Sequence, residues 1–149
     1  KRPRMSKSNT HETQYLQLMF NNTAMTLVGD AAGILSSAAA GSLYFSLHTA
    51  DPGEAGDQTT SEVGYTSYAR VAVARSAGGF TVSGNAVSLV ANVTFPAGTG
   101  GSGTATNWGL GTSVSGTGKL LYKGAISPSI VCGAGVTPQL TAGTVVTEE

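Results

Sequence analysis

The sequence predicts a mainly β protein, an antiparallel β-sandwich or jelly-roll-like domain with a short N-terminal helix and an extended arm. Apolar and polar residues alternate over 42–50, 68–76 and 86–96, with the period of two that is typical of half-buried strands. The chain also holds 21 glycines among 149 residues, many of them between the alternating runs. About seven or eight short strands joined by turns favour a sandwich over a parallel sheet.

The length fits a single β domain preceded by an N-terminal segment. We expect residues 1–41 to form a basic tail, a helix and an arm, and residues 42–149 to form the β-sandwich domain. Charged residues make up only 11% of the chain, against about 25% in ordinary soluble domains. Such a weakly charged surface offers little electrostatic protection against association. We therefore expect the protein to pack against copies of itself or against a partner.

The basic residues are concentrated at the N-terminus, although the formal net charge is zero. Half of the eight lysines and arginines are Lys1, Arg2, Arg4 and Lys7. The remaining body is acidic. A basic tail of this kind suits contact with nucleic acid or with an acidic protein surface, or it stays solvated.

One amphipathic helix is predicted after residue 8. Asn9 or Thr10 is a suitable N-cap, because its side chain can accept from free backbone N–H groups. The apolar stripe consists of Tyr15, Leu18 and Met19, widened by Leu16 and Phe20. A short helix with such a stripe packs on its own domain or on a neighbouring subunit. Residues 23–41, mostly small, are predicted to be an extended arm or loop.

The scaffold of the predicted domain is a strand at 42–50 and another at 68–76. The first strand places Leu43, Phe45 and Leu47 on one face and Tyr44, Ser46 and His48 on the other. Further strands are predicted at 80–82, 86–96, 119–126 and 143–147, and the glycine-rich residues 97–106 are predicted to be a flexible connection. An Asp-Pro-Gly turn opens a long loop after the first strand, where contacts with other molecules are expected.

This loop carries the acidic residues Asp51, Glu54 and Asp57, and the strand after it carries Arg70 and Arg75. We expect the arginines to pair with these acids or with Glu62, which would fix the direction of the loop or a subunit contact. Clustered carboxylates also suit a hard cation such as calcium, but the spacing does not follow the EF-hand pattern. No metal or other cofactor is expected.

The sequence does not predict an enzyme. Its two histidines, His11 and His48, have no nucleophile motif beside them. The single cysteine, Cys132, excludes an internal disulfide and is expected to be a small buried apolar residue. No run of 18 or more apolar residues predicts a membrane span.

Several motifs resemble a family of tailed-bacteriophage virion proteins, described as head decoration (cement) proteins or as tail-fibre-like proteins. The matching residues are LYFSLHTADPGE at 43–54, YARVAVAR at 68–75, VTFP at 93–96, NWGL at 107–110 and LLYKGAI at 120–126. The resemblance covers about residues 42–149, and the preceding arm is longer than the family's usual lead-in.

The resemblance implies a β-sandwich-like domain without catalysis. It implies a cement protein that binds the outer head surface as a homotrimer, contacts the major capsid protein and stabilises contacts between capsomers. The alternative is a tail or tail-fibre-like component that contacts tail proteins or the host surface. The expected location is the virion, on the capsid surface, after assembly in the host bacterial cytoplasm.

With that partner the basic tail would meet an acidic capsid surface, so neither nucleic acid nor a membrane is expected as a partner. The residues that we predict to contact partners are Lys1, Arg2, Arg4, Lys7, Tyr15, Leu18, Met19, Asp51, Glu54, Asp57, Arg70 and Arg75.

Overall fold

The structure, a computed structural model, describes residues 5–149. Within these residues one helix precedes nine strands, and the pairs β1–β6, β3–β4, β4–β9, β5–β8 and β6–β7 are antiparallel. Their bounds are α1 Asn9–Asn21, β1 Ser42–His48, β2 Val71–Ala74, β3 Phe80–Ser83, β4 Ala86–Leu89, β5 Val93–Thr94, β6 Ser102–Gly111, β7 Leu120–Gly133, β8 Gln139–Leu140 and β9 Thr144–Thr147. The prediction of a mainly β, antiparallel fold with one short N-terminal helix is confirmed, and the strand arrangement is consistent with a β-sandwich.

The strands form three sheets. The largest has the order β2-β1-β6-β7, a second has the order β3-β4-β9, and β5 pairs with β8. In the largest sheet Phe45 of β1 lies opposite Leu110 of β6, and Trp108 of β6 lies opposite Gly124 of β7.

The chain divides into two compact units. Unit 1 contains the described residues up to Gly41 together with Ala74–Ala91 and Ala142–Glu149. Unit 2 contains Ser42–Val73 and Asn92–Thr141. The N-terminal helix and arm therefore share a unit with the β3–β4 hairpin and with β9.

In unit 1 the helix packs on its own chain, which is the first of the two packing modes expected from the sequence. The N-cap is Ser8, one residue before the expected positions, and its Oγ accepts from the backbone N–H of His11 at 3.3 Å. The buried face also differs from the expected stripe, because it consists of Glu12, Leu16 and Phe20 at intervals of four. The aromatic ring of Phe20 meets the ring of Phe80 of β3 edge-on, with the centroids 5.0 Å apart.

Arg75 holds the C-terminal end of this helix. Its Nε donates to the carbonyl of Met19 and its Nη2 to the carbonyl of Leu18, both at 2.8 Å. The last four carbonyls of a helix have no partner within the helix, and a positive charge beside them is favoured by the helix dipole. Arg75 therefore supplies the capping charge for a helix whose last turn contains no basic residue.

In unit 2 both faces of β1 are buried. Leu43, Phe45 and Leu47 belong to the apolar core, and the ring centroid of Phe45 lies 5.8 Å from that of Trp108. Gly124 opposite the indole has no room for a side chain, because an added Cβ would lie 2.6 Å from indole atoms. The aromatic packing of this sheet thus depends on a glycine in the neighbouring strand.

The run at 86–96 is not one strand. Residues 86–89 pair with β3 and β9 in unit 1, whereas 93–94 pair with β8 in unit 2. Val87 and Leu89 remain buried before the break, as Val93 and Phe95 do after it. Buried residues therefore recur on both sides of the break, although the chain has changed sheet. For this reason the alternation of apolar and polar residues does not reveal where the strand ends.

The glycine-rich segment at 97–106 is not a flexible connection throughout. Its second half, from Ser102, belongs to β6 and pairs with β7 from Ile130 to Gly133. Before that point the backbone packs closely, since a Cβ on Gly98 would lie 2.0 Å from the carbonyl oxygen of Gly133. Glycine here permits contact between backbones.

Candidate interaction surfaces

The partner-contact residues predicted from the sequence fall in two places. Lys7, Tyr15, Leu18, Met19 and Arg75 lie in unit 1, and Asp51, Glu54, Asp57 and Arg70 lie in unit 2. Lys1, Arg2 and Arg4 lie outside the described residues. Each unit presents a distinct surface around these residues.

Unit 1 contains a loop at residues 25–35, which we call the arm loop. Met25 and Ile34 close it by exchanging two backbone hydrogen bonds of 2.9 and 2.8 Å. At its tip, one carboxylate oxygen of Asp30 accepts from the N–H groups of Ala32 and Gly33, both at 2.9 Å. Gly33 must lack a side chain, because an added Cβ would overlap the carbonyl oxygen of Met25. These bonds give the arm loop a defined hairpin-like shape.

Polar side chains fix the segment that follows the arm loop within unit 1. The amide of Asn22 exchanges hydrogen bonds with the backbone of Ser37, at 2.9 Å to its carbonyl and 2.8 Å from its N–H. Arg75 adds a bond to the Ser37 hydroxyl at 3.2 Å and one to the carbonyl of Ala40 at 3.1 Å. The side chain that caps the helix therefore also fixes the base of the arm.

The arm loop presents apolar side chains to solvent. Leu27 is 79% exposed and Leu35 is 69% exposed, and Val28 and Ile34 are also exposed. Exposed apolar residues that occur singly are ordinary, but a group of them is typical of a contact surface. These four residues are not among the contact residues predicted from the sequence. The group's signal in the sequence is the presence of Leu27, Val28, Ile34 and Leu35, besides the buried Met25, among small and polar residues.

The residues predicted on the helix are only partly available. Tyr15, Leu18 and Met19 are half-buried rather than fully exposed. Lys7 forms an ion pair with Glu148 and lies 5.5 Å from the centroid of the Tyr15 ring. The bond to Glu148 raises the pKa of the Lys7 ammonium. This part of unit 1 is therefore held by contacts within the chain.

The acidic loop of unit 2, which we define as residues 51–62, is also held by contacts within the chain. The Lys123 ammonium lies 3.0 Å from a carboxylate oxygen of Asp51 and 3.3 Å from one of Glu54. Asp57 accepts from the backbone N–H and hydroxyl of Thr59 at 2.7 and 2.6 Å. A bond from the Gly53 N–H lowers the pKa of Asp51, and the Thr59 bonds lower that of Asp57. Lys123, rather than either arginine, is thus the partner of Asp51 and Glu54.

Arg70 pairs with Glu62, one of the acids expected for it. Two guanidinium nitrogens meet the two carboxylate oxygens at 2.7 and 2.8 Å. The guanidinium also donates to the carbonyls of Ser113 at 3.0 Å and Gly116 at 2.8 Å. Since the Arg70 side chain is almost fully buried, it joins the acidic loop to the loop that follows β6. The pair thus ties two loops together inside unit 2.

His48 is buried, although its strand position suggested a polar face. Its Nε2 lies 2.8 Å from the Ser46 hydroxyl, and its Nδ1 lies 2.8 Å from the carbonyl of Thr60. Since a carbonyl only accepts, Nδ1 carries the proton and Nε2 accepts from Ser46. Burial lowers the pKa of His48, although the bond to Thr60 opposes this effect. His48 therefore holds the far end of the acidic loop as a neutral side chain.

We expect stability to fall between pH 7 and pH 5 because of His48. A histidine with a lowered pKa in the folded state stabilises the protein above the unfolded value of about 6.5, and this contribution is lost as the pH falls towards the folded value. The groups around the ring are Ser46, Thr60, Glu62 and the cationic Arg70. Urea unfolding at several pH values measures the slope.

The exposed His11 provides the control for this prediction. His48→Gln should flatten the slope between pH 7 and pH 5, whereas His11→Gln should leave it unchanged. Equal slopes in the parent and in His48→Gln would contradict the assignment.

Within residues 5–149, no group of three or more histidine, cysteine, aspartate or glutamate side chains is arranged to hold a metal ion. The described part of the chain likewise contains no helix that is long and apolar enough to cross a bilayer.

Taken together, fold and surfaces define an antiparallel β protein whose loops are held by internal polar contacts and whose arm displays apolar side chains. Comparison with known families gives its particular class. A family model described as "Podophage GP4 fiber I protein gp80" matches residues 6–148. The chain belongs to this family and is a bacteriophage virion protein with a structural role. No curated protein matches the sequence.

Proposed function

We propose that this protein is a structural subunit of a podophage virion fibre, present in several copies and held by protein–protein contacts. The family match carries this proposal, because it spans residues 6–148 and its description is that of a fibre protein. The match includes the helix and arm as well as the strands, so the whole described fold belongs to the structural role.

The arm loop supports a role in assembly. Its backbone is fixed by the Met25–Ile34 and Asn22–Ser37 bonds, so that binding would not have to order it. Presenting apolar side chains on a pre-ordered base reduces the entropic cost of association. The arm loop is therefore the contact surface that we propose for a neighbouring virion protein.

We also propose that this protein is not an enzyme. His48, the histidine that a hydrolytic site would need, is fully buried, and both of its ring nitrogens have partners in the chain. A general base must reach the proton that it removes, either directly or through one water. A His48→Ala protein that still assembles into virions would support a role without a catalytic base.

Decoration of the head is the second candidate. The motifs at 43–54 and 68–75 support it through their resemblance to virion proteins described as head decoration or tail-fibre-like proteins, and the low fraction of charged residues suits it. In this role the protein would bind the major capsid protein as a homotrimer on the outer head surface.

Imaging of intact virions, with copy number from quantitative mass spectrometry, separates the two candidates. Fibre subunits are expected at the tail or at a fibre attachment site, in a handful to a few dozen copies. Hundreds of copies distributed over the head would replace the fibre role with decoration. Absence from purified particles would refute both.

Substitution of the arm loop tests its role in assembly. Leu27→Ser with Leu35→Ser should weaken incorporation into particles by roughly tenfold or more, since loss of a central anchor residue costs about 2 kcal/mol or more and tenfold corresponds to about 1.4 kcal/mol. The free energy of unfolding should hardly change, because both side chains are exposed. Incorporation is measured in particles grown with the variant as the only source of the protein.

Val90→Ser with Val114→Ser is the matched control. These valines are also exposed, and they lie outside the arm loop. The control should be incorporated normally. Normal incorporation of the arm-loop variant as well would rule out the arm loop as an assembly contact.

A further inference from the structure

We propose that residues 59–61 form an acid-sensitive lid over His48, which opens when the imidazole takes up a second proton. We call this segment the lid. It lies near the end of the acidic loop, and the carbonyl of its middle residue, Thr60, contacts the ring at 2.8 Å. The inference goes beyond the proposed function, and it does not depend on whether the protein belongs to a fibre or to the head.

The lid lies between two residues that are fixed inside unit 2. Before it, Gln58 is completely buried, and its Oε1 accepts from the backbone N–H of Ser113 at 2.9 Å. After it, Glu62 binds the Arg70 guanidinium through both carboxylate oxygens. Because both ends are anchored, the lid can open while the residues on either side of it stay in place.

The lid itself is exposed and weakly attached. Among the described residues, its hydrogen bonds to other parts of the chain are those to His48 and to Thr49, whose N–H and hydroxyl donate to the carbonyl of Ser61 at 2.7 and 3.1 Å. Ser61 has a φ of 55°, in the left-handed region that costs free energy for a residue with a side chain. Opening therefore breaks few contacts and relieves this backbone conformation.

The hydrogen bonds of His48 suit only a neutral ring. Its Nδ1 donates to Thr60 and its Nε2 accepts from the hydroxyl of Ser46, which is completely buried. A second proton would make Nε2 a donor, so that the Ser46 hydroxyl would lose its acceptor. Gly109 of β6 packs against the same atoms, since an added Cβ would lie 2.7 Å from Nε2. The closed site therefore disfavours the imidazolium.

The charges around the ring do not compensate a second proton. Glu62 favours a positive charge on His48, and Arg70 opposes it. These two groups already neutralise one another, and the hydroxyl of Tyr68 also donates to Glu62. Lys123 of β7 is paired with the acidic loop. Protonation in the closed site would therefore leave one uncompensated charge in a buried position, which is costly.

The open lid removes this restriction. Without the Thr60 bond the imidazole can turn towards water, where its pKa returns to about 6.5. Since the open form then binds the proton more tightly than the closed form, a fall in pH favours opening. With the closed ring neutral throughout, the open fraction rises roughly 25-fold between pH 7 and pH 5.

Hydrogen exchange, detected by NMR on the unmodified full-length protein, tests the lid. The reporter is the amide of Thr49, which donates to Ser61 in the lid. The matched control is the amide of Val63, which donates to Leu47 at 2.9 Å just beyond the second anchor. After correction for intrinsic exchange rates, the protection of Thr49 should fall roughly 25-fold from pH 7 to pH 5. It should also be lower than that of Val63 at each pH.

Low concentrations of urea separate opening of the lid from unfolding of the whole protein. Unfolding exposes much surface and is promoted by urea, whereas the opening of three residues exposes little. The protection of Thr49 should therefore hardly depend on urea, and that of Val63 should fall with it. Equal protection and equal urea dependence of the two amides would mean that His48 is protonated only on unfolding, which overturns the proposal.

Substitution of the histidine assigns the effect. His48→Gln should abolish the pH dependence of Thr49 protection, and His11→Gln, at an exposed position, should retain it. A pH dependence that persists in His48→Gln would overturn the proposal. Protection of Thr49 that is independent of pH in the unmodified protein would overturn it without any substitution. Because no measurement here involves the virion, the outcome is separate from the imaging that tests the fibre role.

Discussion

Replacing Phe20 by alanine is expected to lower the free energy of unfolding by about 3–5 kcal/mol. Phe20 is completely buried in unit 1, and its ring meets that of Phe80 edge-on. The substitution removes this aromatic contact and leaves a cavity between the helix and β3, where neighbouring side chains can collapse only in part. Urea unfolding followed by circular dichroism gives the change.

Two controls make this expectation specific. Phe20→Leu keeps much of the buried volume and should cost markedly less than alanine. Leu35→Ala removes an exposed side chain and should change stability by no more than about 0.5 kcal/mol. If Phe20→Ala were as stable as Leu35→Ala, the helix would not be packed on β3 in solution.

Replacing Arg70 by alanine should cost a similar amount, about 3–5 kcal/mol, because it leaves a largely buried carboxylate without its cation. Glu62 would lose both guanidinium bonds, and the carbonyls of Ser113 and Gly116 would lose their donor. The hydroxyl of Tyr68, which donates to Glu62 at 2.7 Å, would remain as one compensating partner. Unfolding measurements on Arg70→Ala test this prediction.

A double-mutant cycle identifies the source of the loss. Arg70→Ala combined with Glu62→Gln should cost less than the sum of the two single changes, because the second substitution removes the unpaired charge. Lys123→Ala, which breaks an ion pair at the surface, should cost far less than Arg70→Ala. Additive effects of the Arg70 and Glu62 changes would show that the two side chains do not interact.

The sequence predicted those helices and strands that depend on the pattern of neighbouring residues in the chain. Alternation indicated β1 and the β3–β4 hairpin, and the amphipathic run indicated the helix. The buried stripe of that helix could not be chosen from the sequence, because Leu18 and Met19 are as apolar as Leu16 and Phe20. Which stripe faces inward depends on the position of Phe80, which lies about sixty residues further along the chain.

The same limit applies to the polar residues. Glu62 was among the expected partners of Arg70, since both flank one loop. The role of Arg75 could not be foreseen, because its acceptors are helix carbonyls at Leu18 and Met19 and carry no sequence signal. His48 was expected on a polar face, but Ser46 and Thr60 supply hydrogen bonds that allow it to be buried. Non-local contacts decide each of these cases.

Because each unit is built from separate stretches of the chain, neither unit can be separated or exchanged by breaking the chain at one point. Unit 1 is assembled from three separate stretches of chain and unit 2 from two, so that the backbone passes from one unit to the other four times. Truncation at any one position therefore leaves unit 1 incomplete. Recombination at one position would likewise exchange only part of unit 1 between two proteins. Homologous virion proteins should therefore inherit this fold as a whole, and variation should accumulate at loop tips such as that around Asp30.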